Sequence, residues 1–459
     1  MTVEVPQPGR RWLTGWGRTA PTPADVLEPR TRDELLAAAD VTSPRGLIPR
    51  GLGRSYGDSA QNAGGVVIDD TQVSGLVDLD LHRGEATALA GTSLDELMRW
   101  LVPLGWFVPT TPGTRQVTVG GAIAADVHGK NHHRVGTWCE SVTAFTLATP
   151  ARGVLRVTRE DEPELFWATA GGMGLTGVVV DATFRLTPIE TAYLSVDVDR
   201  TDDLDSTLAL MEATDDLYDH SVAWIDLLAS GRSLGRSILT RGHFATLEQL
   251  GRRHRRAPLA FHAGTIARVP PVLPSGLLNG TTVRAFNEAW YRKAPRSARG
   301  DIQSISEFFH PLDMLADWNR IYGPRGFVQW QGLVPLSATG TLRRIIEDLS
   351  ASGRSSFLAV LKRCRSGNPG PLSFPAEGWT LALDLPVDRS GELGALLDRL
   401  DEQVVTAGGR IYLAKDSRMR PELLGAMYPR LDEWLDVRRT VDPAGHLRSD
   451  MARRLGLDA

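Results

Sequence analysis

Cysteine is almost missing from this chain. Cys139 and Cys364 are the only two among 459 residues, far apart and with no C-x-x-C pattern. That excludes a disulfide framework and a thiolate zinc site, and no metal is expected. Long apolar runs are missing too, since no stretch approaches the ~18 residues of a membrane span. The segment after Arg10 and Arg11, RRWLTGWGRTAP, is broken by Gly, Arg and Pro where an export signal needs an apolar h-region. No signal peptide is therefore expected. Nor is there an excess of one charge: 51 Lys and Arg against 55 Asp and Glu leave a formal net charge of -4, with no general pull toward nucleic acid. No internal repeat or low-complexity tract is evident. What remains is an ordinary soluble composition, 42% hydrophobic and 23% charged, in a chain too long for one compact core. Two domains, consecutive or interleaved, are expected.

Glycine is where the sequence is rich. Pro112 to His133, PGTRQVTVGGAIAADVHGKNHH, joins a turn, a β-branched run, Gly120-Gly121 followed by small residues, and a tail holding His128, Lys130, His132 and His133. Backbone left bare by glycine and alanine can approach a large flat or phosphate-bearing ligand closely, so this stretch reads as a cofactor bed. Arg50 to Asn62, RGLGRSYGDSAQN, has the texture of a second wrapping loop. Within it Gly53-x-Ser55-x-Gly57 satisfies the pattern of a hydrolase nucleophile elbow, but poor helix-forming residues follow it and no HGGG segment appears. An α/β-hydrolase using Ser55 is the alternative of a different class. Gly172-x-Gly174-x-x-Gly177 matches a dinucleotide fingerprint, yet the order is helix, glycines, strand, the reverse of what a Rossmann pyrophosphate site needs.

Elsewhere the pattern places elements. Thr31 to Glu34 and Ser93 to Glu96 are capping boxes, the second opening a helix with Leu94, Leu97, Met98 and Leu101 inward. Ser141 to Thr149, Val154 to Val157 and Val178 to Leu186 read as strands, and Glu164 to Ala170 as a helix. From Ala192 strands alternate with amphipathic helices, which marks a second domain. Residues 252 to 299 read as loop, carrying Arg252, Arg253, Arg255 and Arg256 and a Pro-rich run from Pro270; the functional reading is a lid that meets an anionic, lipid-like substrate at a membrane surface. Strand parity groups Phe327, Gln329 and Gln331, then Leu358, Val360 and Lys362, then Thr380, Ala382 and Asp384, and buried amides suggest a pocket wall. A lone strand lysine such as Lys362 is ordinarily an edge residue. Glu392 to Ala407 reads as a helix and Arg410 to Ala414 as a strand leading into Lys415.

RGLGRSYGDSAQN, PGTRQVTVGGAIAADVHGKNHH and GGMGLTGVV, in that order, resemble the flavin domain of the vanillyl-alcohol-oxidase-like superfamily. More narrowly, the chain resembles the decaprenylphosphoryl-β-D-ribose 2′-oxidases, flavin subunits of the epimerase that supplies arabinose to actinobacterial cell walls. The likeness extends to ELFWAT at Glu164, FHPLD at Phe309, AKDSR at Ala414, MYPRLDEW at Met427 and SDMARRL at Ser449. It implies an α+β fold: a two-subdomain FAD-binding domain over 1–191, an inserted α+β substrate domain on an antiparallel sheet over 192–409, and a return to the FAD-binding domain over 410–459. The implied reaction is oxidation of the ribose 2′-hydroxyl of decaprenylphosphoryl-β-D-ribose to the 2′-keto sugar. An alditol or sugar-lactone oxidase on the same scaffold is the nearer alternative.

Carried onto this sequence, the resemblance implies that Arg50, Gly51, Leu52, Gly53, Arg54, Ser55, Tyr56, Gly57, Asp58 and Ser59 wrap the FAD pyrophosphate. Gly113, Thr118, Val119, Gly120, Gly121, Ala125 and His128 would line the dinucleotide, with Val179 at its adenine side and Tyr412 at the flavin. Lys415 and His128 are the implied catalytic residues, with Lys415 either stabilising reduced flavin or orienting the 2′-hydroxyl. Trp224, Gln329, Gln331 and Lys362 match substrate-pocket positions. Arg54 stands where covalent flavoproteins of the superfamily carry histidine, so FAD is expected to be non-covalent. Phe309, Thr380 and Ala382 depart from the tyrosine, asparagine and cysteine of mycobacterial relatives. Implied partners are the polyprenyl-phosphoryl ribose substrate, an NAD(P)-dependent keto-reductase and peripheral membrane lipid, at the cytoplasmic face or in the periplasm.

Overall fold

Three β-sheets carry the architecture in the computed structural model, which describes residues 5–270, 276, 278–354 and 356–458. A four-stranded sheet has the order Gly9–Leu13, Thr22–Leu27, Val66–Asp69, Leu47–Arg50; its first pair is antiparallel and the other two pairs are parallel. An antiparallel five-stranded sheet follows, ordered Leu76–Asp80, Glu85–Leu89, Val178–Arg185, Val142–Thr149, Gly153–Thr158. The largest sheet is antiparallel and eight-stranded: Ser297–Ser304, Tyr193–Thr201, Ser237–Phe244, His220–Ile225, Ala359–Cys364, Gly378–Pro386, Phe327–Pro335, Arg410–Ile411.

Local chemistry accounts for these elements. Ser93 Oγ accepts from the Glu96 amide at 3.1 Å while the Glu96 carboxylate accepts from the Ser93 amide at 2.8 Å, so both orphan donors of the helix Leu94–Leu101 are met. Its Leu94, Leu97, Met98 and Leu101 are fully buried, each worth roughly 1.5–3 kcal/mol over exposure. Gly105, in the left-handed region at φ 81, ends the turn after it. The large sheet buries one face against the helices Leu204–Thr214, Thr339–Ser352 and Glu392–Thr406, whose Leu208, Ile345, Ile346, Leu397 and Leu400 form one core with Leu361 and Leu381. The opposite face looks toward the glycine-rich loops.

Several expectations are corrected. The Thr31 cap is half a box: Thr31 Oγ1 accepts from the Glu34 amide, but the Glu34 carboxylate accepts from Arg30 instead. The strand expected over Arg410 to Ala414 is only Arg410–Ile411, because the chain turns where Tyr412 O accepts from the Lys415 and Asp416 amides. That short strand pairs with Gly332 and Leu333 at the edge of the large sheet. Residues 252 to 299 are not loop throughout. Gly280–Lys293 is a helix, capped by Asn279 Oδ1 accepting from the Thr281 and Thr282 amides, and Ser297 begins a strand. Residues 271–275 and 277 of the expected Pro-rich loop lie outside the described residues. Lys362 is not at an edge either; its strand runs between His220–Ile225 and Gly378–Pro386.

The end of the chain is stitched to its beginning. Leu47 exchanges backbone hydrogen bonds with His446 and Arg448, and the Asp450 carboxylate accepts from the Ala63 amide. Arg454 clasps Asp58 at 2.7 Å and Asp416 at 2.9 Å, so the first glycine-rich loop is held by the last helix.

Candidate active site

The first loop leaves the strand Leu47–Arg50 and is braced at its neck. The Arg50 guanidinium donates to Ala60 O at 2.9 Å and Thr14 O at 2.8 Å, so it supports the loop rather than facing outward. Trp16 donates to Ser55 O, and the Tyr56 amide donates to Ala414 O. Gly57 presses on the chain beyond: a β-carbon there would lie 2.0 Å from Asp416 O. Gly53 sits at φ +63, where only glycine is unstrained. Arg54 lies 3.9 Å over the Trp16 ring, and its buried Nε meets no protein acceptor among the described residues. Leu52 and Ser55 are half-buried and Ser59 is buried. No helix follows Ser55, so the elbow reading fails.

The second stretch meets the first directly. Thr118 Oγ1 accepts from the Gly121 amide at 3.1 Å and caps the short helix Val119–Ala124, where the sequence suggested only small residues. A β-carbon on Gly51 would stand 2.2 Å from that same Oγ1, and one on Gly120 would stand 3.2 Å from Ala90. Ala125 O accepts from Tyr412 Oη at 2.7 Å. Val179 is buried in the strand Val178–Arg185, opposite Leu147. Gly113 is exposed on a turn whose Thr114 Oγ1 and Arg115 amide donate to Asp313, each at 2.8 Å. Bare backbone beside a half-buried arginine whose buried Nε has no acceptor among the described residues suits a phosphate-bearing dinucleotide.

At the end of this bed His128 is buried between Tyr412, 5.1 Å between ring centroids, and Phe374 at 5.4 Å. The Gln331 amide donates to His128 Nε2 at 3.0 Å and to Thr380 Oγ1 at 3.1 Å, which places the proton of a neutral ring on Nδ1, an atom with no protein partner among the described residues. Burial, then the charges of Lys362, His132 and Lys415, hold this imidazole well below its ordinary range.

Sheet register gathers the pocket wall. Trp224 stands opposite Val360, Val360 opposite Ala382 and Ala382 opposite Gln331, while Lys362 faces Thr380 and Gln329 faces Asp384. Opposed residues in antiparallel strands share a face, so all four expected substrate residues lie on one side of the sheet. Trp224 Nε1 is fixed by Phe357 O at 3.1 Å. Over this face Lys415 Nζ sits 4.0 Å from the Tyr56 ring centroid, and burial brings the amine down to about 7. Asp384 accepts from Gln329 Nε2 at 2.5 Å and Tyr322 Oη at 3.3 Å, and burial lifts its carboxyl to about 7. Asp384 raises Lys415, whereas Lys362 lowers it.

Sequence reasoning left Lys130 and His132 in a cationic tail without a role, and missed Tyr322. Lys130 Nζ donates to Phe308 O and lies 4.3 Å over the Phe308 ring, its amine brought to about 7 by burial and by Lys362. His132 is buried with neither ring nitrogen partnered among the described residues, and burial brings it to about 3. Phe309, in place of a tyrosine, packs with Phe107, Phe244 and His220. One sequence signal was available. Of 51 cationic residues only four are lysine, and Lys130, Lys362 and Lys415 converge here.

Residues 23–159 match the FAD binding domain family, and residues 342–455 match the D-arabinono-1,4-lactone oxidase family. A decaprenylphosphoryl-β-D-ribose oxidase of Mycolicibacterium smegmatis is 46% identical over 462 residues, covering 99% of each chain. The chain belongs to the decaprenylphosphoryl-β-D-ribose oxidase family. L-galactono-1,4-lactone dehydrogenase 2 of Oryza sativa subsp. japonica is 31% identical over 157 residues, 34% of this chain and 26% of its own. D-arabinono-1,4-lactone oxidase of Eremothecium gossypii is 26% identical over 172 residues, 36% and 32%. The pairwise matches to these two lactone enzymes each span about a third of the chain, whereas the match to the decaprenylphosphoryl-β-D-ribose oxidase runs end to end. Membership makes this an FAD-dependent oxidoreductase of vanillyl-alcohol-oxidase type, and the hydrolase alternative falls.

Proposed function

We propose that the protein oxidises the ribose 2′-hydroxyl of decaprenylphosphoryl-β-D-ribose to the 2′-keto sugar, the first half of epimerisation to the arabinose donor for cell-wall arabinan. The observation that carries this reading is the sheet face itself: two buried amides, Gln329 and Gln331, beside two half-buried lysines, Lys362 and Lys415, above a bed of bare glycine backbone. Amides orient sugar hydroxyls, a protonated lysine such as Lys362 meets a phosphodiester anion, and a free amine can take a hydroxyl proton.

Bound FAD, held non-covalently, supplies the hydride acceptor. The loop Arg50 to Ser59 and the stretch Thr118 to Gly121 are the residues suited to hold its pyrophosphate, with Val179 toward the adenine and Tyr412 and His128 toward the ring. His128 stays neutral, so it orients without adding charge. Lys415 Nζ takes the 2′-hydroxyl proton: at about 7 a large share of the amine is free at neutral pH, and a base poised near the working pH is the effective one. Asp384, tied by Gln329 and Tyr322, sets how readily that amine gains its proton.

The keto sugar then passes to an NAD(P)-dependent keto-reductase. Because the substrate is lipid-linked, the enzyme works as a peripheral protein at a membrane; no helix among the described residues is long and apolar enough to cross one. Turnover of polyprenyl-phosphoryl ribose with an artificial electron acceptor, followed by borodeuteride, tests the reaction. Deuterium at C2′ is the expected result, and label elsewhere or none at all refutes it.

A further inference from the structure

The helix Gly280–Lys293 turns Val283, Asn287 and Tyr291 inward, and Asn287 donates to Asp226 at 2.7 Å. Its outward face ought to be polar. It does carry Thr281, Arg284 and Arg292, but it also presents Ala285, Phe286, Ala289 and Trp290, with Phe286 and Trp290 44% and 45% exposed and their rings stacked at 6.0 Å. Cations border this face: Lys293 lies 5.8 Å over Trp290, and neither Lys293 nor Arg284 has a carboxylate partner among the described residues. An aromatic, aliphatic stripe bordered by free cations is the composition of a helix that lies in a lipid interface.

The stripe is also continuous with the active site. Phe286 meets Phe357 edge-on at 6.0 Å, Phe357 stacks on Tyr322 at 6.0 Å, and Tyr322 stacks on Phe327 at 4.1 Å. Phe327 meets Tyr56 at 5.5 Å, and Tyr56 carries Lys415. Phe357, Leu358 and Val360 are only half-buried along the way, and Phe357 O holds Trp224 in place. A row of apolar side chains therefore joins an exposed surface helix to the buried amine.

We propose that the outer face of Gly280–Lys293 rests on the bilayer holding the substrate, and that the aromatic row inward from Phe286 receives the substrate's polyisoprenoid chain. The inference rests on the lipid-linked substrate proposed above. The helix embeds Phe286 and Trp290 among acyl chains, Lys293 and Arg284 meet anionic headgroups, and the chain runs past Phe357 while the sugar reaches Lys415. Within the arginine cluster at 252 to 256, Arg255 is committed to the carbonyls of Leu250 and Glu248, and its neighbour His254 stacks on Tyr193.

The test compares wild-type FAD-loaded enzyme with the double variant Phe286→Ser, Trp290→Ser and with Phe357→Asp. Two readouts are taken: co-sedimentation with vesicles of phosphatidylcholine and phosphatidylglycerol, and the ratio of kcat/KM for long-chain over short-chain polyprenyl-phosphoryl ribose. The double variant should lose vesicle binding by roughly tenfold or more. Its long-to-short ratio should fall with it. Phe357→Asp should lower the ratio while leaving vesicle binding intact. Unchanged vesicle binding and an unchanged ratio in the double variant overturn the proposal, as does a wild-type dimer that the double variant dissociates. Wild-type enzyme that turns over neither chain length refutes the substrate instead, and the vesicle measurement still decides the surface.

Discussion

Replacing Lys415 by methionine should stabilise the protein while abolishing its activity. The amine is held over Tyr56 in an environment that disfavours its charge, and burial outweighs the help of Asp384. Its range falls from 10.5 to about 7 on folding. At roughly 1.4 kcal/mol per pH unit, that displacement caps the folding penalty at about 5 kcal/mol. The sign follows from which state binds the proton. The unfolded amine holds it up to 10.5 and the folded one only to about 7, so the penalty is full below pH 7, fades as pH rises toward 10.5, and vanishes above. Methionine keeps the packing against Tyr56 and removes the charge. Urea unfolding of the FAD-free protein at pH 6 and at pH 10 measures the difference: Lys415→Met should gain several kcal/mol at pH 6 and little at pH 10. Equal stabilities at both values, or a variant weaker at pH 6, would refute the idea that this amine is a strained buried base.

Other expectations follow from the same geometry. If Lys415 acts as proton acceptor, log kcat/KM rises with pH through about 7, and Asp384→Asn, by removing the charge that raises the amine, moves that limb to lower pH; a limb falling with pH would assign the ammonium instead. Gln331→Ala strips His128 Nε2 of its donor and should cost roughly 1–3 kcal/mol in kcat/KM with FAD content unchanged. Gly57→Ala drives a β-carbon into Asp416 O and should destabilise by roughly 2–3 kcal/mol, read as lowered Tm and lost FAD absorbance. Ala382→Cys adds a thiol beside Gln331 and Val360. Because Cys139 and Cys364 are each 1% exposed, the native variant should gain a reactive thiol that substrate protects.

The glycine-rich loops were legible because their function is written in what they omit: at Gly51, Gly53 and Gly57 a side chain has nowhere to go. Strand parity also carried far, since alternation placed Gln329 and Gln331 together before any register was known. Where it failed, tertiary context decided. Lys362 looks like an edge residue by itself, yet two flanking strands enclose it. The helix Gly280–Lys293 was hidden by its own start, Gly-Thr-Thr-Val, and by an inward face whose middle residue, Asn287, is polar and held by Asp226. Asp384 and Tyr322, 62 positions apart, meet only through the fold. Lys130 and His132 were in view as a cationic tail, but their placement beside Lys362 depends on a strand, Ala359–Cys364, encoded far downstream.

The central claim, that the glycine-lined bed and the amine-lined sheet face together oxidise a polyprenyl-linked pentose, is tested most directly by flavin bleaching. Purified FAD-loaded protein is mixed anaerobically with polyprenyl-phosphoryl ribose, with a free alditol and an aldonolactone as controls. The account predicts loss of the oxidised-flavin visible band with the riboside and no loss with either control. An intact band with the riboside, together with bleaching by the alditol or the lactone, would contradict it.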